Sequence, residues 1–148
     1  MRIAIGSDHA GFEQKELLKR HLAEAGHEVD DRGTFAEESV DYPDYALKVA
    51  RAVASGEAEF GVLVCGTGIG MAITANKVVG VRAANVTRAD FAVLARQHNN
   101  ANVVTVSGRF VSPEENIAII DAFLATEFEA GRHTGRVDKI SAAEAERT

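Results

Sequence analysis

The stretch that decides the fold is FGVLVCGTGIG, at residues 60–70. Residues 60–65 form a short, continuous apolar run, which is typical of a strand buried on both faces of a parallel sheet. Glycines then occupy every second position, at Gly66, Gly68 and Gly70. Glycines at this density let the backbone turn sharply and approach a ligand closely. We therefore predict a buried strand that ends in a ligand-binding loop.

Short β-rich runs alternate with longer amphipathic stretches on either side of this segment. Five strands are predicted, at residues 2–7, 28–31, 60–65, 81–86 and 102–107. Helices are predicted at residues 11–25, 42–54, 68–78 and 88–97, from Ser112 onward, and within residues 141–148. This alternation predicts a three-layer α/β/α, Rossmann-like fold around a five-stranded parallel sheet. Because the sequence has no linker or repeat, we expect residues 1–148 to form a single domain.

The composition narrows the class of function. The 148 residues are 46% hydrophobic and 26% charged, and no apolar run approaches the roughly 20 residues that cross a bilayer. A net charge of −6 argues against nucleic-acid binding, which needs a basic surface. The first residues reach an acidic side chain too early for a signal peptide, and a single cysteine excludes an intrachain disulfide. We therefore expect a cytoplasmic protein without nucleic-acid or membrane partners.

Cys65 lies at the start of the glycine loop, where the next helix is predicted to begin. Loop amides and a helix N-terminus create partial positive charge, which suits an oxyanion or a phosphate and favours a thiolate. Cys65 is therefore a candidate base or nucleophile. The alternative is a small, buried, apolar side chain beside a tight turn. The glycine pattern is a weak signal for a dinucleotide site, since it follows the third predicted strand.

Polar residues also follow two other predicted strands, and ligands of such sheets bind at these carboxyl ends. Asp8 and His9 follow the first strand. A carboxylate there can accept protons or bind hydroxyls, and a histidine can meet an anion; the alternative for Asp8 is to cap the following helix. Arg109 follows the fifth strand. Its guanidinium group suits a phosphate, because the two match in a bidentate geometry.

Other candidates lie away from the strand ends. His98 and Asn99 end the fourth predicted helix, where a histidine can act as a general acid. A histidine favoured there by the helix dipole is the simpler alternative. Arg132 and Arg136 are four residues apart, so a helical turn would place both on one face. A solvated basic tail is the alternative for this pair.

Six separated motifs match those of one known enzyme family. They are DHAGF at 8–12, DYP at 41–43, CGTGIG at 65–70, ANK at 75–77, RQHN at 96–99 and GRH at 131–133. With these motifs the chain resembles ribose-5-phosphate isomerase type B over nearly its whole length. That family also includes allose-6-phosphate isomerase and the galactose-6-phosphate isomerase subunits. The resemblance implies an aldose–ketose isomerase of the pentose phosphate pathway that acts through an enediolate.

The resemblance also implies roles for single residues. Cys65 would move the proton between C1 and C2, and Thr67 would orient the reacting oxygens. His98 would open the furanose ring, assisted by Asp8. The other residues would bind the substrate: Gly66, Gly68, Ile69 and Gly70 at the enediolate, His9, Arg109, Arg132 and Arg136 at the phosphate, and Tyr42 and Asn99 at the sugar. Some relatives use a glutamate four residues after the Thr67 position, but this chain has Met71 there, which leaves the cysteine route.

Partners follow from the same resemblance. Family members are dimers or tetramers whose active sites combine two chains, so we expect the tail at residues 131–148 to serve dimerisation and phosphate binding. No cofactor is implied, and the chain has no metal-ligand spacing. An isomerase of six-carbon sugar phosphates is one alternative. A receiver-like or flavodoxin-like domain that binds a phosphorylated ligand without catalysis is another, and a redox or nucleotide-binding domain is a third.

Overall fold

The computed structural model describes residues 1–147, with five strands and six α-helices. The strands are β1 (Arg2–Ser7), β2 (Glu28–Asp31), β3 (Phe60–Cys65), β4 (Ala83–Asn85) and β5 (Val103–Ser107). The helices are α1 (Phe12–Glu24), α2 (Tyr42–Ala54), α3 (Ile69–Ala75), α4 (Ala89–Asn99), α5 (Pro113–Ala125) and α6 (Thr134–Ala145), and a 3-10 turn (Gly131–His133) precedes α6. Within residues 1–147, no helix combines the length and the apolar character of a membrane span.

The five strands form one parallel sheet in the order β2-β1-β3-β5-β4. Buried side chains of α1, α4 and α5 form the core on one face of the sheet, and those of α2 and α3 form the core on the other. This arrangement confirms the predicted three-layer fold. β2 and β3, the next two strands along the chain, lie on opposite sides of β1, so a crevice opens at the carboxyl ends of β1 and β3.

The ends of several elements differ from the predictions. β4 has three residues instead of six, because it is an edge strand whose outer side is closed by a side chain: Asn76 donates to the Ala83 carbonyl (2.9 Å) and accepts from the Ala83 N–H (2.8 Å). α3 is shorter than predicted, at seven residues. The last helix was predicted within residues 141–148 but starts earlier, at Thr134. Residue 148, the last of the predicted range, lies outside the described residues.

Lys15 is fully buried between α1 and the loop that follows β2. Its ammonium group donates to Asp31 Oδ1 at 2.8 Å and to the Thr34 carbonyl at 2.5 Å. Burial acts to raise the pKa of Asp31, but hydrogen bonds from Lys15, the Gly33 N–H and Lys19 outweigh burial and hold that pKa below its ordinary value. The ion pair therefore ties helix α1 to the loop beside the crevice.

We expect Asp31→Asn to lower the free energy of unfolding by about 3 kcal/mol, because it leaves the buried Lys15 ammonium without its carboxylate. Asp30→Asn is the matched control, since Asp30 pairs with Arg32 (2.8 Å) at a partly exposed position, and we expect a loss below about 1 kcal/mol. Urea unfolding measures both. Since the pKa of Asp31 is lowered on folding, its advantage over Asn should be present at neutral pH and disappear as the pH falls through that lowered pKa. Equal losses for the two variants at neutral pH would contradict this account.

Candidate active site

The predicted site residues fall into two groups within one chain. The strand-end cluster consists of Asp8, His9, Tyr42, residues 65–70 and Arg109, which lie at or beside the carboxyl ends of β1, β3 and β5. The helix-end cluster consists of His98 and Asn99, at the C-terminus of α4, and Arg132, His133 and Arg136, around the start of α6.

Cys65 is buried, with 5% of its surface exposed, yet its sulfur has a polar contact. The Gly68 N–H donates to Sγ at 3.1 Å, so a partial positive charge points at the sulfur. Gly68 holds a left-handed conformation (φ 84°), and a side chain there would collide with Asn85. Glycine is thus required at the one position whose N–H meets the thiol.

Two hydroxyl groups of β5 hold the glycine loop in place. Ser107 Oγ donates to the Gly66 carbonyl at 2.7 Å, and Thr105 Oγ1 donates to the Gly68 carbonyl at 2.8 Å. These bonds turn both carbonyl oxygens toward β5. The N–H groups of Thr67 and Gly70 have no acceptor within residues 1–147. They are therefore free to donate to an oxyanion bound at this loop.

Asp8 and His9 lie across the crevice on β1's side. Asp8 is buried, and its Oδ1 accepts the Gly11 N–H at 3.0 Å, just before α1 begins. This bond is similar to the helix cap considered as the alternative role of Asp8. It is made to the N–H of Gly11, however, which is the residue before the first residue of α1. His9 Nδ1 accepts the Val40 N–H at 3.1 Å. A neutral His9 must therefore carry its proton on Nε2, which is left to meet a ligand.

Tyr42 and Arg109 both lie against the glycine loop. A methyl group on Gly70 would overlap the Tyr42 ring. A Cβ at Gly66 would come within 3.4 Å of Arg109 Nη1, so the guanidinium group lies over this residue. Arg109 and His9 also share a cavity of about 290 Å³. The structure thus brings these predicted residues together with Cys65.

The helix-end cluster has its own geometry. The rings of His98 and His133 are stacked, with centroids 4.3 Å apart and planes 17° from parallel. Asn99 is exposed, and Asn100 ends α4 in a left-handed conformation (φ 48°), which asparagine tolerates better than most residues. Arg132 and Arg136 are exposed on either side of His133.

One chain does not bring the two clusters together. α4 starts after the carboxyl end of β4 and ends before the amino end of β5, so its last turn lies at the amino edge of the sheet. Cys65 pairs with Ser107 at the carboxyl edge. The five residues of β5 alone span about 13 Å between these edges. His98 and Cys65 therefore belong to opposite edges of the same sheet.

Within residues 1–147, one group of side chains has the composition of a metal site. Ligand atoms of His98, Glu129 and His133 lie within 4.8 Å of one another. A metal ion lies in the plane of each imidazole ligand, at about 2.0–2.1 Å from nitrogen. The lone pairs of two stacked, nearly parallel rings do not converge on one such point. The arrangement fits a packed ring pair and does not fit a metal site.

Sequence reasoning missed four side chains or backbone groups that shape the site. They are Thr105 and Ser107, which hold the loop, the Val40 N–H, which fixes His9, and His133, which packs on His98. Three of them act through hydrogen bonds with backbone or ring atoms, which leave no spacing pattern in a sequence. Only His133 had a signal, as the last residue of the GRH motif at 131–133, although no role was assigned to it.

Comparisons with known proteins agree with this geometry. The family model described as Ribose/Galactose Isomerase matches residues 3–140. Ribose-5-phosphate isomerase B of Escherichia coli (strain K12) is 47% identical over 146 residues, which cover 99% of this chain and 98% of that protein. The structure of ribose-5-phosphate isomerase B from Clostridium thermocellum superposes with a TM-score of 0.99 at 47% identity and full coverage of both chains. The enzyme of Mycoplasma genitalium, with bound ribulose-5-phosphate, gives a TM-score of 0.95 at 46% identity, covering 99% of this chain and 97% of that one. This chain therefore belongs to the ribose/galactose isomerase family.

Proposed function

We propose that this chain interconverts ribose 5-phosphate and ribulose 5-phosphate through an enediolate, as an aldose–ketose isomerase of the pentose phosphate pathway. The observation that carries the proposal is the Cys65 thiol at the crevice, which accepts the Gly68 N–H and begins a loop whose Thr67 and Gly70 N–H groups have no acceptor within residues 1–147. The Escherichia coli relative bears the name of this activity, and the Mycoplasma genitalium relative holds its ketose product.

The proton transfer follows from the strand-end cluster. The Cys65 thiolate takes the hydrogen from C2 of the open-chain aldose, and the C–H electrons form the C1–C2 double bond while negative charge collects on O1. The loop N–H groups and the Thr67 hydroxyl stabilise that charge. The O2 proton then moves to O1, the C2 carbonyl forms, and Cys65 returns its proton to C1. Atoms and charge balance without an added reactant.

Ring opening needs an acid as well as a base, since ribose 5-phosphate is mainly a furanose closed through O4. We assign the acid to His98, which gives a proton to O4, and we assign to Asp8 the acceptance of the O1 hydrogen. Proton transfer by positioned side chains typically contributes about 10²–10⁴-fold to a rate. The roles of Tyr42 and Asn99 are contacts with the sugar hydroxyls.

Substrate binding must overcome the chain's net charge of −6 by local positive groups. We assign the phosphate to His9, Arg109, Arg132 and Arg136. Phosphate contacts lie away from the reacting carbons, so their binding energy can serve to hold C1 and C2 near Cys65.

The two clusters can meet only if a second copy of the chain supplies one of them. We propose a homodimer in which the helix-end cluster of one copy completes the strand-end cluster of the other; a tetramer of such dimers is compatible with this. An apolar surface supports it: Ile69 and Ile73 of α3 and Phe91 and Leu94 of α4 are exposed on either side of the edge strand β4. Since Ile69 belongs to the glycine loop, a partner on this surface would lie next to Cys65. Residues 1–148 then act as one domain whose end, 131–148, serves the partner.

The scheme uses no metal or organic cofactor, because amides and side chains carry the developing charge. It does need a reduced thiol, and the only cysteine is free. We therefore propose that the enzyme works in the cytoplasm, where thiols stay reduced.

Conversion of ribose 5-phosphate by the purified chain, in the presence of a metal chelator, tests the proposal. We expect turnover with ribose 5-phosphate and at least about tenfold lower kcat/KM with allose 6-phosphate, since a site fitted to five carbons must shift its reacting atoms to admit a sixth. Preference for the six-carbon substrate would contradict the assignment of ribose 5-phosphate as the substrate but would leave the proposed isomerase mechanism in place. Absence of turnover with both would favour a domain that binds sugar phosphates without catalysis.

A further inference from the structure

His133 has no role in the chemistry above, yet its ring stacks on the ring of the proposed acid, His98. It ends the 3-10 turn before α6 and is 4% exposed. Its ring covers one face of the His98 ring at a centroid distance of 4.3 Å. Burial keeps His133 away from solvent and from any ligand on the exposed side of His98.

We infer that His133 is a positioning residue, which holds the His98 imidazole by ring stacking in the orientation needed to protonate the sugar ring oxygen. The inference rests on the proposed function, in which His98 is that acid. His98 lies in the last turn of α4, where the side chain can rotate about two bonds. A general acid must stay within hydrogen-bond reach of its target, so an unheld ring would spend part of its time in unproductive orientations.

The surroundings of His133 disfavour its protonated form. Burial, and then the positive charges of His98, Arg132 and Arg136, lower the pKa of His133, and Glu129 only partly opposes them. The neutral ring adds no charge next to His98. This matters because a second imidazolium would repel the charged form of the acid.

Hydrogen bonds do not account for the placement of the His133 ring. Its Nε2 is buried without a hydrogen-bond partner within residues 1–147, and Glu129 Oε1 is 3.6 Å away. The ring is thus held by packing, and its flat face is the feature that His98 uses. A phenyl ring should therefore replace it, whereas a side chain without a flat face should not.

Three variants separate these cases. We expect His133→Ala and His133→Leu to lower kcat/KM for ribose 5-phosphate about tenfold, from the loss of an aromatic contact, and His133→Phe to stay within about threefold of the wild type. Leucine fills much of the space of the His133 ring but has no flat face. His133→Leu therefore still tests the stacking role if His133→Ala destabilises the 3-10 turn. Circular dichroism and thermal unfolding report whether each variant is folded.

A second measurement removes ring opening from the reaction. Ribulose 5-phosphate cannot close a furanose onto C2, because its O5 carries the phosphate. Exchange of its C1 hydrogen with D₂O therefore needs Cys65 but not the acid, and we expect all three His133 variants to exchange at close to the wild-type rate. His21→Ala is the matched control: His21 of α1 pairs with Asp121 of α5 at 2.7 Å, and its loss should change neither measurement.

The outcomes distinguish the inference from the function on which it rests. If His98→Asn leaves conversion unchanged, the proposed acid is wrong. If His98→Asn lowers conversion while His133→Ala and His133→Leu do not, or if His133→Phe is as impaired as they are, the stacking role is overturned. Loss of exchange in the folded His133 variants would also overturn it, since a ring-opening defect leaves that step intact.

Discussion

Replacing Cys65 with alanine is expected to lower kcat for ribose 5-phosphate by at least about 10³-fold, because it removes the proposed base for proton transfer between C2 and C1. No other thiol exists in the chain to replace it. The same variant should lose C1 hydrogen exchange in ribulose 5-phosphate, since that exchange starts with the same proton abstraction. Isomerisation assays and proton NMR in D₂O measure the two losses.

Cys65→Ser is the matched control for packing around the sulfur. Serine is close to cysteine in size and can still accept the Gly68 N–H, so it should retain the fold and the binding of inorganic phosphate, but a hydroxyl is a far weaker base precursor than a thiol at neutral pH. We expect Cys65→Ser to be nearly as inactive as alanine. Substantial activity in either variant would mean that another group takes the proton. Met71, fully buried in the core cluster that contains Cys65, offers no such group.

The sequence allowed most of the fold to be predicted, because strands buried on both faces and capped helices leave clear patterns. Ser112 shows this: a helix was predicted from this residue onward, and its side chain accepts the Glu115 N–H at 3.2 Å as the cap of α5, with Pro113 in the first turn. The start of α4 shows the limit, because threonine is a common cap residue and Thr87 precedes this helix without capping it. The helix begins at Ala89 with Arg88 as the cap residue, and no side chain caps it. Strand order was beyond sequence pattern, since any βαβ unit can place its second strand on either side of the first.

The strand-end cluster was predictable for a topological reason. Residues that follow parallel strands must share one edge of the sheet, so Asp8, Cys65 and Arg109 were expected to meet wherever their strands lie. His98 was different, because the residue pattern alone favoured a helix-dipole explanation and only the resemblance implied a catalytic role. The structure explains why the residue pattern did not predict a catalytic role for His98. Within one chain, His98 lies at the opposite edge of the sheet from Cys65.

This separation has a consequence that a single-chain enzyme would not show. If two copies exchange their helix-end clusters, damage to Cys65 and damage to His98 affect different sites when they occur in different chains. A homodimer of either variant has two damaged sites. A hybrid with one Cys65→Ala chain and one His98→Asn chain has one site with both substitutions and one site with neither.

We therefore expect the purified hybrid to regain about half of the wild-type activity per dimer, although each parent is nearly inactive, because two-fold symmetry gives each dimer two equivalent composite sites. Co-expression of the two chains with different affinity tags, followed by two successive affinity steps, isolates the hybrid. Assays with ribose 5-phosphate at equal protein concentration compare it with both parents and with the wild type. The activity of the hybrid should exceed that of the more active parent by more than tenfold. A gain of this size distinguishes the restored site from an effect of small changes in protein stability.

The matched control uses two substitutions from the same cluster. His98→Asn and Arg132→Ala both damage the helix-end cluster, so a hybrid of these chains has one damaged residue at each site and should stay as inactive as its parents. Recovery in the first hybrid without recovery in the second can arise only if Cys65 and His98 of different chains act on one substrate. An inactive first hybrid, or an active wild-type monomer in solution, would contradict the shared site. In that event the acid would have to come from the strand-end cluster, whose one imidazole is His9, with Nδ1 already accepting the Val40 N–H.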